Sequence, residues 1–144
     1  MINEKSIEKT KQILKQEESP KIVLAQNDEY NRKMLEHGKF DILLSPERGD
    51  RRTSLRQIDS GLNHFIVELA KKKNIAIGID LNELRPLEKE EKAKRIEKII
   101  QNIRFCRKKN IKLALFGVID QKNTQSLLKS WGASSQQASQ ALAF

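Results

Sequence analysis

Apolar residues along this chain alternate between two rhythms. In some places they form short unbroken runs, and in others they return every three or four positions. The runs are Ile22-Val23-Leu24-Ala25, Phe40-Asp41-Ile42-Leu43-Leu44, Ile75-Ala76-Ile77-Gly78-Ile79-Asp80-Leu81 and Ile111-Lys112-Leu113-Ala114-Leu115-Phe116-Gly117-Val118. They predict four strands, the third apolar enough to be covered on both faces, as in a parallel sheet. Between them, Leu62, Phe65, Ile66, Leu69 and Ala70 fall at i, i+3, i+4, i+7 and i+8, which places all five on one face of a helix. Tyr30, Met34 and Leu35 mark a second helix, and Ala93, Ile96, Ile99, Ile100 and Ile103 a long one over 88–109. Leu127, Leu128 and Trp131 mark a short one, followed by a small-residue helix to Phe144. Residues 2–18 predict a charged N-terminal helix with a thin stripe of Ile7, Thr10, Ile13 and Leu14, stopped by Ser19-Pro20.

The helix ends carry their own signals. Asp59 or Ser60, Asn27 or Asp28, Thr124, and Ser134 or Ser135 can accept hydrogen bonds from the free N–H groups of a first turn. Gly38, Asn74, Asn110 and Gly132 suit helix stops, and Lys71-Lys72-Lys73 puts cations near a negative helix end. Strands alternating with helices indicate an α/β fold. A closed eight-stranded βα barrel typically needs about 250 residues and rarely fewer than about 200. A chain of 144 residues is therefore expected to form one domain that cannot close such a barrel alone. The expected division is an N-terminal helix over 1–20 and the βα domain over 21–144.

Charge changes the picture. The net charge is +9, with 28 Lys and Arg against 19 Asp and Glu. Such a surface favours a polyanionic partner, because each neutralised phosphate releases counterions. Nucleic acid is the first candidate. A membrane is excluded as a spanned medium, since no segment approaches the roughly 20 apolar residues that a spanning helix needs. The opening Met1-Ile2-Asn3-Glu4-Lys5 lacks the apolar core of a signal peptide, and Cys106 is the single cysteine, so the expected location is the cytoplasm.

Candidate chemistry concentrates in the polar connection 46–57 after the second strand. Arg48, Arg51, Arg52 and Arg56 stand there, and the loops after strands form the functional face of βα folds. Guanidinium groups are planar, always charged and bidentate toward phosphate. Arg85, at the exit of the third strand, is expected on the same face. Catalytic readings are poor. His37 and His64 are the only histidines and lack a second ligand at metal spacing, while Asp41, Asp80 and Glu83 are scattered over two strand regions. Cys106 reads as a packing residue.

The stretches Asp59-Ser60-Gly61-Leu62-Asn63-His64, Leu69-Ala70-Lys71-Lys72-Lys73-Asn74-Ile75-Ala76-Ile77 and Leu84-Arg85-Pro86-Leu87 resemble protein component 3 of archaeal ribonuclease P, the family of the eukaryotic thirty-kilodalton subunit. The match is specific in this central third, weaker from about residue 21 onward, and absent from the first twenty residues. The resemblance implies a TIM-barrel-like α/β fold. Relative to the family the chain lacks opening strands and is short at its C-terminus, so an incomplete or open barrel of about four to six parallel strands is expected. It also implies a non-catalytic RNA-binding subunit of an endoribonuclease that removes the 5′ leader of precursor tRNA. The chemistry would be carried out by magnesium held on the RNA, with no cofactor on this chain.

The implied partners are the ribonuclease P RNA, protein component 2 and, through the complex, precursor tRNA. A homo-oligomer is the other way to cover an open barrel edge. RNA-binding positions implied are Arg32, Arg48, Arg51, Arg52, Arg56, His64, Lys73 and Arg85. Two family positions depart here: the basic residue two before the central aspartate is Gln57, with Arg56 beside it, and the basic lead-in to the next-to-last helix is Asn123-Thr124. Asp59 can cap a helix or hold an arginine, and a lysine run at a helix end also serves as a solvated dipole partner. The alternatives from other classes are a metal-dependent phosphoesterase of related barrel type and a protein-interaction scaffold.

Overall fold

The structure is a computed structural model that describes residues 1–53, 56–118 and 120–144. Five parallel strands lie side by side in chain order: β1 (Ile22–Leu24), β2 (Ile42–Leu44), β3 (Ala76–Asp80), β4 (Leu113–Phe116) and β5 (Leu142–Ala143). The helices are α1 (Ile7–Gln16), α2 (Asp28–His37), α3 (His64–Lys72), α4 (Leu81–Leu84), α5 (Lys89–Lys109), α6 (Gln121–Ser130) and α7 (Ser135–Gln140). Laying each strand beside the one before is how a βα barrel grows. Here the sheet stops with two free ends, so the expected TIM-barrel-like open fold is the one found. None of the described helices is long and apolar enough to cross a membrane.

Alternation along each strand sends side chains to two faces. Val23, Leu43, Ile77, Leu113 and Leu115 pack against Met34, Val67, Ala70, Ile99, Ile103 and Leu128 of the helices in one large cluster. On the other face, Ile42, Ala76 and Ala114 form a small cluster with Ile22 and Phe116. An incomplete barrel would leave part of this inner face exposed, yet Ile42 and Ala114 are fully buried. Gly78 supplies the reason. A Cβ there would come within 2.9 Å of both Ile42 Cγ2 and Leu44 Cδ1, so the long side chains of β2 lie across the backbone of β3. At the β5 edge Leu142 and Phe144 are exposed, and the Phe144 ring stacks on Phe116 at 4.7 Å.

Several local expectations are corrected. The last helix ends at Gln140 instead of running to Phe144, and the chain then pairs with β4, Ala114 opposite Leu142 and Leu115 opposite Ala143. The unpaired backbone groups of β4 decide this, since they offer the chain end hydrogen-bond partners that override its local helix preference. The N-terminal helix starts at Ile7 behind the Ser6 cap, because Ile2 is bound to β1 through Ile2 N–H to Ile22 O (2.8 Å) and Leu24 N–H to Ile2 O (2.9 Å).

Asn63, not Asp59 or Ser60, caps α3 by accepting from the Ile66 N–H at 2.9 Å. Phe65 points outward, 60% exposed, and Val67 lies in the core instead. Asp120 caps α6, while Thr124 sits inside it and donates to Asp120 O at 2.9 Å. Ala93 lies exposed on α5, and α4, capped by Asp80, was not expected. The remaining signals hold: Asn27 caps α2, Ser134 forms a capping box, and Gly38, Asn74 and Asn110 adopt the left-handed conformation at φ 70°, 55° and 53°. Cys106 is buried in α5, and burial pushes its thiol up to about 12, as suits a packing residue.

Candidate nucleic-acid interface

The chain leaves β2 through Ser45, Pro46 and Glu47, all buried, and runs over the C-terminal ends of the strands. Ser54 and Leu55 of this connection lie outside the described residues. Thr53 and Ile58 pair as an antiparallel bridge and the Asp59 N–H donates to Arg52 O at 2.9 Å, so the connection doubles back on itself as a narrow finger. Its base is closed by Gly61. At φ +84° with a Cβ position only 1.9 Å from Pro46 O, no other residue fits there without displacing the chain.

A polar stripe on α5 straps this finger down. Arg95, Lys98, Gln101 and Asn102 follow helical spacing between the buried Ile99 and Ile103. Asn102 Nδ2 donates to Ser60 O at 2.9 Å, and Gln101 Nε2 donates to Ile58 O at 2.8 Å and to Ser60 Oγ at 2.9 Å. Lys98, 7% exposed, donates to Arg51 O at 2.7 Å. Burial pushes Lys98 below the usual lysine range, and Asp59 opposes that shift. Arg95 bridges Glu47 (3.0 Å) and Glu83. Burial raises the Glu47 carboxyl against the pull of Arg95. Burial likewise works against the Arg95 charge, but Glu47 and Glu83 outweigh it and hold the guanidinium protonated.

The candidate arginines thus take different places. Arg51 is turned inward: its side chain is 8% exposed and meets Asp28 at 2.7 Å, Asp59 at 3.1 Å and Arg48 O at 3.1 Å. Asp59 is the acidic partner that holds an arginine. Arg48 is part-buried, 3.6 Å from Glu83. Arg85 is exposed at the exit of β3 and donates to Asn82 Oδ1 (3.0 Å) and Gly117 O. Arg52 and Arg56 point into an open groove of about 780 Å³ between the finger and α5, whose far wall carries Arg104 and Lys108. His64 stands exposed beside the groove, edge-to-face with the lining residue Phe105 at 5.3 Å. Arg32 lies on α2, 3.9 Å from Glu36, along a separate cleft toward α3. Lys73 ends α3 against Gly38, at the opposite end of the sheet.

Arg104 and Lys108 were missed by sequence reasoning. Their signal was an i, i+4 pair of cations on the last turns of a helix whose apolar stripe points elsewhere. The groove therefore gathers four cations from two elements far apart in sequence. Asp41 accepts from the Lys21 N–H at the start of β2, away from Asp80 and Glu83 at the other end, and among the described residues no group of three or more His, Cys, Asp or Glu is placed to hold a metal ion.

Replacing Lys98 by Met keeps the aliphatic stem but removes the bond to Arg51 O. Hydrogen bonds from charged groups contribute about 1.5–3 kcal/mol. The finger of Lys98→Met is expected to loosen, seen as faster limited trypsin cleavage after Arg52 and Arg56 with the rest of the domain still resistant. Unchanged cleavage would show that the strap is dispensable.

No family model and no curated protein matches the sequence. Among solved structures, the chain is similar to a chain in the cryo-EM structure of archaeal ribonuclease P with mature tRNA. The TM-score is 0.75 at 17% sequence identity, over 97% of this chain and 60% of that one. The fold implied by the motifs between Asp59 and Leu87 is thus the fold found, an open βα barrel that a chain of archaeal ribonuclease P shares and that spans 60% of that chain's length.

Proposed function

We propose that this chain is a non-catalytic protein subunit of ribonuclease P that binds the catalytic RNA and assists removal of the 5′ leader from precursor tRNA. The observation that carries the reading is the groove of Arg52, Arg56, Arg104 and Lys108, set at the C-terminal ends of the strands on a fold shared with a chain of archaeal ribonuclease P. Four cations around one open groove, in a chain of net charge +9, suit a phosphate backbone. The role is positioning and charge neutralisation, with magnesium on the RNA supplying the chemistry. Protein component 2 is the partner proposed for the β5 edge, where Leu142 and Phe144 are exposed.

Reconstitution tests role and competence together. Cleavage of precursor tRNA by the cognate RNA is measured at limiting magnesium, with and without this chain and component 2. The expected result is that both proteins together lower the magnesium requirement and the chain without RNA cleaves nothing. A chain that leaves cleavage unchanged in every combination would overturn the reading.

A further inference from the structure

We propose that the groove between the finger and α5 receives an unpaired nucleotide, its base against the Phe105–His64 aromatic pair and its flanking phosphates on Arg52, Arg56, Arg104 and Lys108. This rests on the RNA-binding reading above and names the class of RNA element that the site takes. A surface that only neutralises a duplex needs cations and little else, because the phosphates lie on the outside of the helix and the base faces are stacked away. This groove is built otherwise. Phe105 and Ile58 lie among its cations, and its volume of about 780 Å³ gives an open groove with room for a nucleotide.

The aromatic pair is positioned from behind. Phe105 is half-buried and packs on the helical core through the same turn of α5 that carries buried Ile103 and Cys106, so its ring is held by the fold. His64 follows the Asn63 cap directly and stands perpendicular to Phe105, at an interplanar angle of 86°. Aromatic side chains interleaved with cations are the arrangement by which single-stranded nucleic acid is held, each base adding a stacking contact while the cations follow the backbone. Stacking grows with ring area, so purines are preferred over pyrimidines.

The test uses the full chain and three probes of equal length: a short oligoadenylate, an oligouridylate and a blunt RNA duplex, each titrated over a range of salt concentrations. Oligoadenylate is expected to bind more tightly than either of the others. Phe105→Leu, which keeps an apolar side chain on the core, is expected to weaken oligoadenylate roughly tenfold, with the salt slope intact and duplex binding little changed. Phe105→Tyr restores it. His64→Ala, at an exposed position that cannot disturb the core, is expected to produce the same selective loss and decides the matter if Phe105→Leu is unstable.

Equal binding of duplex and oligoadenylate, or loss of affinity shared equally by all three probes in both variants, overturns the unpaired-nucleotide site while leaving RNA binding in place. Absence of salt-dependent binding to any of the probes overturns the RNA-binding reading and this inference with it.

Discussion

Replacing Arg52, Arg56, Arg104 and Lys108 together by alanine is expected to lower the slope of log affinity against log salt by about three to four units, since each phosphate contact contributes about 0.7–0.9. A fourfold rise in salt would then weaken the unaltered protein about a hundredfold more than the variant. The argument rests on placement. These four side chains line one groove, whereas Arg51, equally basic in sequence, is spent on Asp28 and Asp59. Arg51→Ala therefore serves as the contrast. It removes a single cation held on carboxylates, so it should lower the slope by less than the quadruple variant, which removes all four groove cations at once. Equilibrium titration of the ribonuclease P RNA at several salt concentrations measures both. A quadruple variant with unchanged slope would mean that the groove touches no phosphate.

Gly61→Ala is expected to destabilise the domain by roughly 2–5 kcal/mol, combining a left-handed backbone penalty of about 1–2 with about 1–3 for overpacking. At this size that corresponds to a fall in Tm of about 10 °C. The added methyl has nowhere to go, because its nearest neighbour at 1.9 Å is the Pro46 carbonyl oxygen and the next is the Pro46 carbonyl carbon at 2.6 Å. Gly49→Ala isolates the backbone share of the effect, since Gly49 has φ +90° but no neighbour within 4 Å of its Cβ position. Thermal unfolding followed by circular dichroism should place Gly49→Ala a few degrees below the unaltered protein and Gly61→Ala well below both. Equal melting of the two variants would show that Pro46 yields and that the finger is not anchored at this point.

Part of this interface was legible in the sequence. The arginines between strand and helix, the Asp59-Ser60-Gly61 motif and Arg85 all announced a functional end of the fold, and the structure brings them to the C-terminal ends of the strands. The roles of the individual cations were not legible. Arg51 and Arg52 are adjacent and chemically identical, yet one lies buried on two carboxylates and the other lines an open groove. Nothing in the sequence set Arg104 and Lys108 apart from other helical cations, and only the finger facing them does so. The stripe of Arg95, Lys98, Gln101 and Asn102 gave no sequence signal either, and its role is set by the finger that it binds.

The sequence by itself determined what depends on neighbours in the chain. Side-chain periodicity set α2, α3 and α5, short β-branched and leucine runs set β1 to β4, and local backbone chemistry narrowed two caps to Asn27 or Asp28 and Ser134 or Ser135 and placed the left-handed stops at Gly38, Asn74 and Asn110. Only the tertiary structure decided what depends on groups distant in the chain. Residues 142–143 became a strand because β4 had an open edge. Ile2 left the N-terminal helix because β1 had the other open edge, and Ile42 and Leu44 sealed the inner face because Gly78 left room above β3. The cap of α3 moved to Asn63 because Asp59 and Ser60 were engaged by Arg51, Gln101 and Asn102. In each case a backbone or polar group that could be satisfied in more than one way locally was claimed by a partner that only the folded chain brings near.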